Sequence, residues 1–305
     1  MLHDVIIIGG SFAGLSAAMQ LGRARRKVLL IDAGLPRNRF ADASHGFLGQ
    51  DGKAPAEIVR EASRQVLAYP TVEILHREAL SATADGDGFL VAHAGGEARG
   101  RRLILATGVV DNLPEIEGLK ERWGATVLHC PYCHGYEVRD RALGVLANHP
   151  MAGHQAAMLP DWGPTTLYTQ GKFEPDAETL ALLERRGVTI ERQPIVAVLG
   201  QAPAMEAVRL ADGRVVVANA LFVAPKTVLA GPFAKQLGCA IDEGMLGPMV
   251  RVDDFKATTV PGVYAAGDAA RAMHNATFAS GDGVMAGVSA HQSLMRDAGS
   301  ARAAA

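Results

Sequence analysis

The first 32 residues constrain this chain most. Asp4 to Ile8 is a short apolar run bounded by glycine, the pattern of a strand buried on both faces of a parallel sheet. Gly9-Gly10-Ser11-Phe12-Ala13-Gly14 follows, then a helical pattern from Ala13 to about Arg25 with Ala17, Ala18 and Leu21 on one face. Lys27 to Ile31 reads as the next strand, and Asp32 closes it 18 residues after Gly14. A strand, a glycine turn opening a helix, and a second strand ending in an acid make a βαβ unit suited to a dinucleotide. Gly9 permits the sharp turn, and Gly14 lets helix and strand pack closely. The helix N-terminus offers N–H groups and a positive dipole end to a pyrophosphate, and Asp32 can accept both ribose hydroxyls. Ser11 stands where a second glycine is expected; its small bulk and hydroxyl donor keep it compatible. The bland alternative is a glycine turn in a fold that binds nothing there.

Two later segments narrow the dinucleotide to FAD. Leu103-Ile-Leu-Ala-Thr107-Gly108 reads as a buried strand ending in Thr-Gly. Thr258 to Asp268 reads as a strand ending in Gly267-Asp268, which places the aspartate at the carboxyl end of its strand, where such sheets bind ligands. Asp268 would there meet the ribityl or phosphate region. The last helix, from about Ala279 to Met295, starts with small residues, so its positive end can approach the flavin ring. His274 and Asn275 precede it, and the backbone N–H near Ala276 should face the flavin. The tail from Ala301 reads as frayed.

A chain of 305 residues has room for two domains. Its 30 basic and 32 acidic residues nearly balance, which argues against nucleic acid or an anionic membrane surface as the main partner. No apolar run approaches the roughly 18 residues of a membrane helix. Met1-Leu-His-Asp-Val-Ile-Ile-Ile has no basic leader and reads as a strand, so a cytoplasmic location is expected. Three cysteines cannot build a disulfide framework; a close pair without an export signal points to redox, catalytic or metal chemistry.

That pair lies in His129-Cys130-Pro131-Tyr132-Cys133-His134-Gly135-Tyr136-Glu137. A two-residue spacer lets the thiols close into a redox disulfide, and such pairs often have lowered thiol pKa values. A zinc site is a second reading, with His129 and His134 as further ligands. The adjacent pairs His129–Cys130 and Cys133–His134 converge poorly on one tetrahedral ion, and no second Cys pair exists, so no metal is expected. Cys-x-x-Cys-His is also the form of a haem attachment signal, which generally goes with export. Two inert buried thiols are the fourth reading. Cys239 has no partner and reads as core or surface.

With these motifs together, the chain resembles the low-molecular-weight thioredoxin reductase family over nearly its whole length. In the form Cys-Pro-Tyr-Cys-His-Gly it is similar to a side branch, the flavin dithiol oxidases that close disulfides in natural products such as gliotoxin and holomycin; the reductases usually carry Asp after the second Cys. The resemblance implies an α/β protein of two Rossmann-like three-layer domains, the second inserted into the first. Residues 1–115 and 244–305 would bind FAD, and 116–243 would form an NAD(P)-binding-like domain with the cysteines at its start. Strands at Leu143 to Ala147, Thr165 to Tyr168, Val188 to Ile190 and Leu221 to Val223, with a hairpin turn at Asp212-Gly213, agree with that. Residues 45 to 52, with His45, Gly46 and Gln50, occupy the place of the family's flavin-contacting loop. The implied flavin contacts also take in Phe12, Ala13, Ala33, Ala79 and Thr277. Cys133 would be the flavin-facing thiol and Cys130 the one that exchanges with substrate. His134 would shuttle protons, or else be a solvated histidine at a helix start. The family is homodimeric, so a homodimer is expected.

The pattern breaks at the nicotinamide. NADPH-using relatives carry a second Gly-x-Gly-x-x-Ala turn; here Gly144-Val145-Leu146 runs into Ala147-Asn148-His149-Pro150-Met151-Ala152. His149 stands where a pyrophosphate needs bare backbone, and Pro150 has no N–H to donate. The arginine cluster for a 2′-phosphate is replaced by Thr169-Gln170-Gly171-Lys172. NADPH is therefore doubtful. One expectation is oxidation of a small dithiol, with electrons passing to FAD and then oxygen. The others are an NAD(P)H- or ferredoxin-dependent reductase of thioredoxin or a small disulfide, and a non-enzymatic metal or redox sensor.

Overall fold

The computed structural model describes residues 2–303, with side chains to residue 297. The chain forms two compact units. Met1–Arg39, Ala56–Val110 and Thr227–Ala305 make the first; Phe40–Pro55 and Asp111–Lys226 make the second. These limits differ from those expected at 115/116 and 243/244. Phe233, Ala234 and Cys239 are buried in the first unit's core, which draws 227–243 into it. Residues 40–55 go with the second unit because their contacts are there: a Cβ on Gly124 would meet the Phe40 backbone at 2.8 Å, and His45 faces Glu137.

The first unit opens with β1 (Leu2–Ile8), α1 (Phe12–Arg23) and β2 (Val28–Asp32). Then come α2 (Pro55–Leu67), β3 (Val72–His76), β4 (Ala79–Asp85), β5 (Gly88–His93) and β6 (Gly96–Leu105). The seven-stranded sheet runs β3-β2-β1-β6-β5-β4, with Val263–Ala265 also paired to β6. β1, β2, β3, β6 and Val263–Ala265 are parallel, and β4 and β5 form an antiparallel extension. Alternate residues of β1 feed opposite faces. Val5 and Ile7 pack with Leu15, Ala18 and Leu21 of α1 and with Ala286, Ala290 and Leu294 of the final helix, Ala276–Ala303. Ile6 and Ile8 pack with Phe89, Val91 and Phe233 on the other side. A strand buried on both faces has no polar side to write, which is why Asp4 to Ile8 reads as a continuous apolar run.

The final helix begins at Ala276, earlier than expected, and continues through Ala303; residues 304 and 305 lie outside the described residues. It lies close against α1. A Cβ on Gly287 would come within 2.8 Å of the Ala17 carbonyl oxygen, and one on Gly283 would collide with that of Ala13.

The second unit holds a parallel five-stranded sheet. Its elements are β7 (Val127–Leu128), α3 (Pro131–His134), β8 (Leu143–Leu146), α4 (Ala152–Met158), β9 (Thr165–Tyr168), α5 (Ala177–Arg185) and β10 (Thr189–Glu191). A three-stranded antiparallel sheet follows: β11 (Ile195–Leu199), β12 (Ala207–Leu210) and β13 (Val215–Val217). β14 (Ala220–Val223) returns to the parallel sheet, whose order is β10-β9-β8-β14-β7. Asp212-Gly213 turns the chain between β12 and β13, with the Gly213 N–H donating to the Leu210 carbonyl at 3.0 Å. The two-residue β7 was beyond sequence reading: it is held by pairing with β14, not by any periodicity of its own. No helix among the described residues is long and apolar enough to cross a membrane.

Candidate active site

In the first unit, the turn from β1 to α1 has the geometry of a nucleotide cradle. Gly9 has φ +105°, a region that favours glycine, and a Cβ there would collide with the Ala106 carbonyl. Gly10 donates its N–H to Asp32 Oδ1 at 3.1 Å, and a Cβ on Gly10 would press on that carboxylate at 2.6–2.8 Å. Asp32 is thus held at the end of β2, directly beside the turn. Gly14 meets the Gly9 carbonyl where no Cβ fits. Ser11 is the N-cap of α1 but makes no side-chain bond to its N–H groups, so the hydroxyl does not fill the helix mouth. Phe12 and Ala13 open the helix, Ala33 follows β2, and Ala79 starts β4.

The remaining expected cofactor residues of this unit fall on the same ends. Thr107 and Gly108 (φ +70°) follow β6. Gly267 and Asp268 follow Val263–Ala265 in a short 3-10 turn, Gly267–Ala270. Gly267 has φ +73°, and its Cβ would sit 3.0 Å from that of Ala13, so the two turns touch. Asn275 caps the final helix: its Oδ1 accepts the Thr277 N–H at 2.8 Å, beside Ala276. Arg37 had not been singled out. Its guanidinium donates to Asp268 Oδ2 at 2.9 Å and to His274 Nδ1 at 2.7 Å. Nothing in a lone Arg37-Asn-Arg stretch signals an ion pair formed across more than 200 residues of chain.

In the second unit, Cys130 and Cys133 are joined as a disulfide with Cα atoms 5.3 Å apart. The sequence builds the turn locally. Cys130 is the N-cap of α3, Pro131 takes the first helical position, and the Cys130 Sγ accepts the Cys133 N–H at 3.2 Å. Such a donor favours the thiolate once the bond is open. Both thiol residues are half-buried. Tyr132, 75% exposed, stands edge-on to Trp162 with ring centroids 5.7 Å apart. Gln155, buried at the side of α4, donates to the His129 carbonyl at 2.9 Å and so anchors the residue before Cys130. Burial lowers the His134 pKa below its usual 6.5; Glu137 pushes it up and His45 pushes it down. Of the expected flavin loop, His45, Gly46 and Gln50 lie in this unit, with Gly46 beside the Tyr132 carbonyl. Among the described residues no group of three or more His, Cys, Asp or Glu is placed to hold a metal.

The turn from β8 to α4 is closed by its own side chains. His149 is buried, and its Nδ1 accepts the Met151 N–H at 3.1 Å. An imidazole thereby takes one of the amides that a phosphate would use. Asn148 donates from Nδ2 to the Ala224 carbonyl at 2.8 Å, across the crevice between β8 and β14. Burial, then the charge of Lys226, lowers the His149 pKa, which keeps the ring neutral and its Nδ1 an acceptor.

A profile of the family described as pyridine nucleotide-disulphide oxidoreductase matches residues 3–146 and 170–283. The chain belongs to the pyridine nucleotide-disulphide oxidoreductases. Thioredoxin reductase tcpT of Claviceps purpurea is 34% identical, across 96% of this chain and 95% of its own. Thioredoxin reductase sirT of Leptosphaeria maculans is 31% identical, across 94% and 92%. Among solved structures, an oxidoreductase from Agrobacterium tumefaciens is 52% identical with a TM-score of 0.92, covering 97% of this chain and 99% of that one. The structure of HlmI is 34% identical with a TM-score of 0.91, covering 99% and 96%.

This pyridine nucleotide-disulphide oxidoreductase therefore acts on sulfur groups, and its fold class is the two-domain Rossmann-like α/β arrangement of thioredoxin reductases. The family binds a flavin, FAD. The first unit fits it: Gly9, Gly10 and Gly14 leave the backbone bare, and Asp32 is oriented beside them.

Proposed function

We propose that this flavoprotein oxidises a small dithiol, the Cys130–Cys133 disulfide accepting the electron pair and FAD then oxygen carrying it away. The observation that carries the direction is the β8–α4 turn, where His149 and Asn148 occupy the amide and the crevice a nicotinamide dinucleotide would need. The Cys-Pro-Tyr-Cys-His form supports it. In the exchange a substrate R(SH)2 becomes R(S–S), the Cys130–Cys133 bond breaks, and two cysteine thiols form. Cys130 takes the incoming sulfur and Cys133 is the leaving thiol, the assignment the family resemblance implies. His134, neutral near neutral pH because it is half-buried, takes the proton of the attacking thiol and returns it to the leaving one. FAD, when bound, supplies the two-electron acceptor that oxygen can restore.

The test is a pair of anaerobic half-reactions on the holoenzyme. A small dithiol should bleach the flavin while millimolar NADPH does not, and admitting oxygen should release peroxide. Silence across a broad dithiol panel would remove the reading. The names of the relatives, thioredoxin reductases, favour a second one: disulfide reduction by NAD(P)H. Bleaching by NADPH alone would establish that instead.

A further inference from the structure

Residues 33–38 leave β2 as a strap fixed at both ends. At its start, the Gly10 N–H donates to Asp32 Oδ1 at 3.1 Å. Ala33, Gly34 and Leu35 are exposed; Pro36, Arg37 and Asn38 are half-buried. Arg37 reaches the other side of the cradle, donating to Asp268 Oδ2 at 2.9 Å and to His274 Nδ1 at 2.7 Å. Asp268 follows Gly267, whose Cβ would sit 3.0 Å from that of Ala13 in the first turn of α1. The strap is thus pinned on both sides of the mouth of α1. The turn that carries Asp268 has its own anchor elsewhere. Arg271, just after it, donates to Asp282 of the final helix from Nε at 2.9 Å and from Nη2 at 3.0 Å. Lys256 Nζ stands 2.8 Å from the same carboxylate. What Arg37 adds is a hold on the Asp268 carboxylate itself, in an ion pair whose side chains are only 20% and 18% exposed.

Asn38, beside Arg37, carries an orphaned acceptor. Its Oδ1 is buried and has no hydrogen-bond partner among the described residues. A buried acceptor left unpaired is costly, and a donor from a bound molecule removes that cost. FAD carries such donors in its ribityl and ribose hydroxyls and its adenine amino group. We propose that Arg37 and Asn38 make this strap a wall of the FAD site. Asn38 Oδ1 accepts a hydrogen bond from the cofactor, and Arg37 holds the Asp268 carboxylate in the orientation that meets it. Asn38 is a binding residue. Arg37 is a positioning residue that acts through Asp268, with His274 as its second acceptor. The part played by Arg37 rests on Asp268 meeting the flavin's ribityl or phosphate region, as its place at the carboxyl end of a strand implies. The strap retains the flavin, whichever way electrons pass through Cys130 and Cys133.

The experiment follows flavin release from the holoenzyme, read as the rise of flavin fluorescence after dilution, well below the melting temperature. Asn38→Leu keeps the shape of the side chain but removes the acceptor, and it should release flavin roughly tenfold faster. A purely structural role predicts no such change, because that acceptor has no partner within the described residues. Arg37→Met should also speed release about tenfold, with Arg37→Lys between it and the wild type. Asp268→Asn should speed release too, and in that background Arg37→Met should add less than about twofold. A variant that purifies without flavin is titrated with FAD, and the dissociation constants are compared in the same way. Wild-type release from Asn38→Leu would remove Asn38 from the site. Wild-type release from Asp268→Asn would remove Asp268, and the role of Arg37 with it. Equal acceleration by Arg37→Met in both backgrounds would make Arg37 a structural residue and overturn its part. If Arg37→Met does not fold, Arg37→Lys in the two backgrounds decides by the same comparison.

Discussion

Cys130 and Cys133 are joined in one disulfide, and the exchange needs both. Cys133→Ser should leave the flavin absorbance in place and abolish turnover, because a serine cannot close the disulfide; oxygen uptake with a dithiol checks it, and retained turnover refutes the assignment. Half-buried His134 has a pKa lowered from 6.5, first by its burial, so it is neutral and able to accept a proton across the neutral range. The exchange rate should fall only as pH drops below that region. His134→Ala should lower it by roughly a hundredfold and remove the acid limb; an unchanged pH profile would demote His134 to a structural residue. Cys239 needs no such test. It is a buried thiol in the first core, its Sγ donating to Thr258 Oγ1 at 3.5 Å, and burial pushes its pKa up, away from reactivity.

At the scale of elements, the contact of the final helix with α1 and the β8–α4 turn can each be probed by substitution. The final helix meets α1 through Gly283, whose Cβ would collide with the Ala13 carbonyl at the first turn of α1. Gly283→Ala should push that turn away from the cradle, cost about 1–3 kcal/mol, and lower the flavin content of purified protein. The ratio of flavin to protein absorbance reads it. The β8–α4 turn is the other. If His149 and Pro150 are what exclude nicotinamide, the double change His149→Gly with Pro150→Gly restores bare amides there. NADPH should then bleach the flavin measurably where the wild type does not; no gain would mean that the crevice itself, bridged by Asn148 to Ala224, is the barrier.

For the whole molecule, two histidines link folding to pH. His134 and His149 both have folded-state values lowered by burial from 6.5, so between the lowered and the unfolded value the unfolded chain binds more protons. Stability then rises with pH through that window and is lost as pH falls below about 6.5. The melting temperature should drop from pH 7 to pH 5, and His149→Gln should flatten that slope. Asp282 acts in a lower window. Burial alone would raise its carboxyl, but hydrogen bonds from Arg271 and Lys256 prevail and hold it below 3.8. Its contribution is present above about that pH and is lost on acidification through the lowered value. We also expect a homodimer, which light scattering of the holoenzyme would show.

The sequence by itself determined the features written in consecutive residues. The glycine turn at Gly9–Gly14, its flanking apolar strands and Asp32 are local, because φ +105° at Gly9 and strands buried on both faces leave marks on residue type. The cysteine turn is local too: Cys130 caps, Pro131 starts and Cys133 closes four residues of chain. Four of the five strands of the second sheet, all but the two-residue β7, are legible in the sequence to within one residue for the same reason. Tertiary structure alone decided what meets across the chain. It drew residues 40–55 to the cysteine segment, so that His45, read in sequence as part of a flavin loop, faces Glu137. It joined Arg37 to Asp268, tied Gln155 to His129, and aimed His149 into its own turn. These contacts depend on where the fold carries each element and not on the residues beside them, so no spacing or periodicity records them.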